Sequence, residues 1–95
     1  MAFGFVYILT NEHRNVLYIG LTNDLRKRIL HHRQRLVPGF TKKYNVHRLV
    51  HFERLQNMEE ARHREQQLKG VTRERKITLI NATNPTWQDL FGNIN

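Results

Sequence analysis

Phe5-Val6-Tyr7-Ile8-Leu9 and Val16-Leu17-Tyr18-Ile19-Gly20-Leu21 decide the fold. Both runs are rich in β-branched and aromatic residues, and each has the length of a strand. Polar Thr10-Asn11-Glu12-His13-Arg14-Asn15 lies between them, so the pair reads as a β-hairpin. A loop that closes symmetrically, with Thr10 facing Asn15, predicts Tyr7 opposite Tyr18. Directly opposed residues project from one face of a sheet, roughly 5 Å apart at Cβ. Two phenols then share a face, either as core aromatics with satisfied hydroxyls or as members of a site.

Downstream, Thr22-Asn23-Asp24 supplies N-cap residues for a helix from Asp24 to Arg35. Leu25, Ile29 and Leu36 fall on one stripe of that helix, with His32 inside it and Arg28 at its edge. The helix therefore turns one Arg and one His toward the sheet. Each has an ordinary structural reading: a core histidine bonded to backbone, and an arginine stem with a snorkelling head. Val37-Pro38-Gly39 breaks the chain, and Phe40–Asn45 reads as a single basic turn with two aromatics. Val46–Glu53 reads as a third strand, whose imperfect alternation suits an outer position.

Asn57 can cap a helix from Met58 to Leu68, with Glu60 as the capping-box acid and Gly70 as the C′ residue. Met58, Ala61, Glu65 and Leu68 share one stripe, which puts a carboxylate in the middle of an apolar face. Such a group needs an arginine, a hydroxyl or a metal ion, and an ion pair with Arg28 is one solution. Thr72 opens a last helix that Asn84-Pro85 ends. Trp87, Leu90 and Phe91 then form an apolar hook that packs back.

The composition narrows the partners. Ninety-five residues make one small domain, 1–95, with 39% hydrophobic and 25% charged residues. There is no cysteine, which excludes disulfides, thiolate zinc sites and cysteine nucleophiles. No apolar run reaches the length of a membrane span, and no basic leader precedes the first strand, so a cytoplasmic location is expected. Sixteen Lys+Arg against eight Asp+Glu give a net charge of +8. Eleven of the sixteen are arginine, the residue suited to bidentate phosphate contact. A small domain of this charge points to nucleic acid. Arg14, Arg26, Lys27, Arg33, Arg35, Lys42 and Lys43 are the expected phosphate track.

The inward polar set, Tyr7, Tyr18, Arg28, His32 and Glu65, suits metal-assisted phosphodiester hydrolysis. A carboxylate can hold Mg²⁺, and an arginine can fork onto phosphate oxygens. A phenol is a poor base at its ordinary pKa near 10, unless a neighbour lowers that value or takes its proton.

These residues carry a resemblance. Tyr7 and Tyr18-Ile19-Gly20 resemble the paired signature of the GIY-YIG nuclease family, with Phe5 where the family name expects glycine and Gly4 one place off. Asp24-Leu25-Arg26-Lys27-Arg28-Ile29-Leu30-His31-His32 resembles its second motif, and Ala61-Arg62-His63-Arg64-Glu65 its third. The tail, Leu79-Ile80 and Asn84-Pro85 with Trp87, Asp89 and Leu90, is similar to small stand-alone members. The resemblance implies an α/β (α+β) domain with a three-stranded antiparallel sheet flanked by helices. It implies one divalent metal, Mg²⁺ or Mn²⁺, on Glu65, an essential Arg28, Tyr7 as general base, and Tyr18 and His32 as hydrogen-bonding assistants. The family includes the nicking domain of an excision-repair subunit, homing endonucleases, restriction enzymes and resolving nucleases. DNA is the implied substrate, with RNA also open. Two other classes remain: a non-catalytic nucleic-acid-binding module, and a domain that takes specificity from a protein partner.

Overall fold

Asn11 sets the hairpin, and it does so with its side chain. In the computed structural model, which describes residues 3–36 and 39–94, β1 (Gly4–Thr10) and β2 (Leu17–Thr22) pair antiparallel. Asn11 Oδ1 accepts the Asn15 and Val16 amides, at 3.1 and 3.3 Å, and Arg14 takes the left-handed conformation (φ 58°). The loop is therefore longer than a symmetric closure at Asn15. Thr10 faces Leu17, Tyr7 faces Gly20, and Tyr18 faces Leu9. The predicted Tyr7–Tyr18 register is wrong by two residues. A slip of two preserves side-chain direction, so both tyrosines still share a face.

The third strand, β3 (Arg48–Leu55), pairs with the other edge of β1, giving the order β2-β1-β3, all antiparallel. It begins and ends two residues later than expected. The pairing shifts between Ile8, which faces His51, and Leu9, which faces Leu49. Val50 is the extra residue of a β-bulge, and this explains the imperfect alternation of the strand.

Helices cover both faces. β1 is central, and Val6, Tyr7, Ile8 and Leu9 have no exposure at all. Val6 and Ile8 point to one face, where Ala61 and Leu68 of α3 (Met58–Gly70), Ile80 of α4 (Arg73–Thr83) and Trp87 pack on them. Tyr7 and Leu9 point to the other, against Leu25 and Ile29 of α1 (Leu25–Arg33), Val46, Leu49 and Ile94. The expected hook closes both layers: Trp87 joins the first, while Leu90 and Phe91 join the second. Among the described residues no helix is long and apolar enough to cross a membrane.

Close approach explains Gly4. A Cβ there would stand 2.6 Å from Ala61 Cβ and 2.7 Å from the Asn57 carbonyl oxygen. The start of α3 rests on the bare backbone of β1, one residue before Phe5. On the same face, Arg64 holds Glu53 through both carboxylate oxygens (2.7 and 3.0 Å), and His51 Nε2 lies 2.8 Å from that carboxylate.

The helix caps follow the sequence, and the ends do so less well. Asp24, Asn57 and Thr72 accept the Lys27, Glu60 and Arg75 amides, each worth about 1 kcal/mol. α1 stops at Arg33 because Arg35 turns left-handed (φ 58°) and the Leu36 amide returns to the His31 carbonyl. Leu36, expected on the buried stripe, is consequently 63% exposed. Gly70 is the last residue of α3 rather than a left-handed C′. Extended Val71 and Thr72 lead straight into α4, so no such turn is needed. Val37 and Pro38 of the expected break lie outside the described residues. Beyond them comes α2 (Phe40–Lys43), the expected single turn.

Candidate active site

The site lies along β2, a strand at the edge of the sheet. Tyr7 crosses toward it over Gly20. The Tyr7 and Tyr18 ring centroids are 6.4 Å apart, and His32 stands edge-on to both, at 5.8 and 5.7 Å. These two tyrosines and this histidine, singled out in the sequence, form one cluster.

A hydrogen-bonded chain runs through it. The Tyr7 hydroxyl meets His32 Nε2 at 3.0 Å, and His32 Nδ1 meets Thr41 Oγ1 at 3.0 Å. All three residues are buried. Burial pushes the Tyr7 phenol up to about 12; Tyr18 and Glu65 add to the rise, and Arg28 beside it works the other way. Burial also pushes His32 down to about 4, assisted by the positive charge of Arg28 and by His31. At neutral pH the phenol keeps its proton and the imidazole is neutral. Sequence reasoning missed Thr41. A lone threonine in a basic turn carries no signal until α2 folds against α1.

Arg28 and Glu65 reach the same cluster without pairing to each other. Among the described residues Glu65 has one ionic contact, Lys69 at 3.5 Å, a helical i,i+4 neighbour. Its side chain is 16% exposed. Arg28 lacks a carboxylate partner, and its buried Nε has no hydrogen-bond acceptor among the described residues. The predicted alternative of an Arg28–Glu65 ion pair is not what the structure shows. Glu65, paired only along its own helix among the described residues, and Arg28, whose Nε lacks an acceptor there, instead approach Tyr7 from opposite layers. A buried donor without an acceptor is a place for a ligand oxygen.

The donor set fits some cations better than others. Among the described residues, no three His, Cys, Asp or Glu side chains gather into a metal cage. One recessed carboxylate suits a hard ion that keeps most of its own waters, such as Mg²⁺ or Mn²⁺, and does not suit zinc.

The expected phosphate track divides in two. Arg14 donates to the Thr86 carbonyl and Arg26 to the Ile94 carbonyl, both at 3.1 Å. Arg33 pairs with Asp89, and Arg35 donates to Asn45 at 3.0 Å. The Arg26 and Arg33 guanidinium groups also lie over the Phe91 ring, at 5.0 and 4.4 Å. These arginines hold the C-terminal hook and the turns. Lys27, Lys42 and Lys43 are exposed, and their ammonium groups make no hydrogen bond among the described residues. Lys27 lines a small concavity with Arg28 and His31. An open cavity of about 360 Å³ beside Tyr18 is lined by Phe40, Lys69 and Lys76 as well. Of these, only Lys69 could have been found in the sequence, one turn beyond Glu65.

The chain is similar to known proteins over most of its length. A UPF0213 protein of Clostridium perfringens is 38% identical over 78 residues, which is 82% of this chain and 83% of the relative. One from Bacillus velezensis is 35% identical over 76 residues, 80% of this chain and 75% of the relative. The solution NMR structure of a UPF0213 protein from Bacillus halodurans superposes with a TM-score of 0.58 at 26% identity, covering 92% of each chain. The family model described as the GIY-YIG catalytic domain matches residues 3–78, and with the tyrosine cluster, Arg28 and Glu65 arranged as above, the chain belongs to the GIY-YIG nuclease family.

Proposed function

We propose that this protein is a divalent-metal-dependent DNA endonuclease that is structure-guided or weakly specific. The observation that carries the reading is the unpaired approach of Arg28 and Glu65 to the Tyr7–His32 pair. A cation on Glu65 and a phosphate on Arg28 give each group a partner that the other does not supply.

Each residue then has a part. Glu65 would hold one Mg²⁺ or Mn²⁺, which when bound supplies positive charge to the scissile phosphate and the leaving oxygen. Arg28 Nε and the rest of its fork bind non-bridging phosphate oxygens as charge builds on them. Tyr7 orients the attacking water. The phenol oxygen takes the water's proton while its own proton passes to His32 Nε2. Burial and the Arg28 charge hold that imidazole neutral, and it becomes a better acceptor once a bound phosphate offsets the Arg28 charge. Thr41 Oγ1 accepts from His32 Nδ1–H and fixes the tautomer that leaves Nε2 free to receive. Tyr18 donates to phosphate or water. Lys27, Lys42 and Lys43 are the cations best placed to meet the backbone.

The test is cleavage of plasmid, single strand, flap, fork, four-way junction and RNA, with Mg²⁺, Mn²⁺ or EDTA. Metal-dependent cutting that disappears in Tyr7→Phe, Arg28→Ala and Glu65→Ala is expected. Salt-dependent binding without cutting would instead favour the non-catalytic module or a nuclease that needs a partner.

A further inference from the structure

Phe40 and Tyr44 are 46% and 45% exposed, and their rings lie 4.8 Å apart at the centroids. The pair does not stand alone. Phe40 stacks on Tyr18, at 6.1 Å and 23° between planes, and Tyr18 abuts His32. A row of rings thus leads from the reacting centre out to solvent. α2, which carries Phe40, has one buried residue, Thr41, and that residue holds His32. Thr41 and the Phe40–Tyr18 stack pin the turn to the site, and about half of the surface of Phe40 and of Tyr44 stays open to solvent.

The rim of this surface is cationic. Lys42 and Lys43 flank the rings, with Lys43 Nζ 5.4 Å from the Tyr44 centroid. Lys69 and Lys76 share the open cavity with Tyr18 and Phe40. Flat apolar faces set among lysines match one chemistry well: a nucleobase whose π-face stacks on a ring while its phosphates meet the cations. Paired bases inside a duplex are stacked on each other and offer no free face. A duplex would use the lysines alone and leave the rings in water.

We propose that Phe40 and Tyr44 form a stacking platform for an unpaired nucleotide next to the phosphate that is cut, so that the preferred substrate is single-stranded DNA or a junction with a splayed strand. The inference rests on the nuclease reading above and specifies its substrate. RNA offers the same unpaired bases, and the arms of the test separate the two.

Binding is measured in EDTA, which suppresses cutting, with oligonucleotides of about 15 nucleotides that carry 2-aminopurine. Single-stranded DNA, single-stranded RNA and blunt duplex are compared at one salt concentration. The expected result is at least tenfold tighter binding of the single strand than of the duplex, with quenched 2-aminopurine emission. Phe40→Ala and Tyr44→Ala should each weaken single-strand binding by about tenfold and leave duplex binding unchanged. Phe40→Trp should retain wild-type affinity, whereas Phe40→Leu, which keeps an apolar side chain without a ring, should behave like the alanine variant. Thermal melts confirm that the variants fold.

Equal or tighter binding of duplex overturns the proposal. So do alanine variants within twofold of wild type, a fully active Phe40→Leu, or the failure of every polynucleotide to bind, which would mark the patch as a protein-docking surface. RNA preferred over DNA moves the substrate to RNA and overturns the DNA assignment. Cleavage with Mg²⁺ separates the two readings. Duplex cutting without stacking removes the platform alone, and stacking without any cutting removes the nuclease alone.

Discussion

Tyr7 lies on the bare backbone of Gly20: a Cβ at position 20 would stand 2.2 Å from the phenol Cζ and 2.3 Å from its oxygen. Gly20→Ala is therefore expected to lower stability by about 1–3 kcal/mol and to swing the ring off His32. Denaturant unfolding and a cleavage assay check this together. A variant of wild-type stability and activity would show that the ring does not need that space.

Tyr7→Phe removes a single oxygen. It leaves His32 Nε2 buried without a partner, at a cost of about 1–3 kcal/mol. Cleavage should fall by at least ~100-fold, while affinity for the same DNA in EDTA stays within about twofold. Full cutting by the variant would remove Tyr7 from the chemistry.

Glu65→Gln should abolish cutting without loosening the fold. Among the described residues the only ion pair lost is the one with Lys69, a helical pair worth about 0.3–0.5 kcal/mol. Mg²⁺ should raise the melting midpoint of the wild type, by mass action on a site present only in the folded state. The variant should show no such rise. An equal rise in both proteins would place the cation elsewhere.

Acid should weaken the fold in two stages. His32 sits at about 4 against an ordinary 6.5, so between those values the unfolded chain takes up a proton that the folded one refuses. That stability is complete above pH 6.5 and is lost as pH falls toward 4, by up to ~3 kcal/mol. Glu53 is held down to about 2, first by its hydrogen bond with His51 and then, against burial, by Arg64. Its contribution is complete above about pH 4.5 and is lost as pH falls toward 2. Denaturant titrations across this range should show the decline, and His32→Gln should flatten its upper stage. A stability constant from pH 7 to 4.5 would contradict a buried neutral His32.

Salt dependence should separate the two groups of cations. Alanine at Lys27, Lys42 and Lys43 together should lower the salt slope of DNA binding by about two with little change in stability. Arg26→Ala and Arg33→Ala should do the reverse, because those side chains hold Phe91, Ile94 and Asp89. Equal slopes for the lysine variant and the wild type would take the three lysines off the phosphate track.

These expectations show what the sequence makes legible. The five inward residues could be read because strand and helix periodicity place side chains by face, and a face survives errors of register. The hairpin register differs by two residues from a symmetric closure, and Tyr7 and Tyr18 stay together all the same. Loop closure through the Asn11 side chain is a tertiary detail that a run of polar letters does not show. The left-handed Arg35 is hidden in the same way, and with it the exposure of Leu36. Charge was legible as a total and not as a map. Nothing in the order of residues tells that Arg26 and Arg33 are held by the C-terminal hook, more than fifty positions away.

Glu65 is the late arrival among the five site residues. Tyr7, Tyr18, Arg28 and His32 all lie within the first 32 residues, while the carboxylate comes on α3, which docks through Gly4, Ala61 and the Glu53–Arg64 pair. A chain leaving the ribosome can expose the hairpin and α1 segments and still lack the group proposed to hold the cation. Under the nuclease reading, the nascent protein cannot cut nucleic acid until its second half has been made and has folded onto the first.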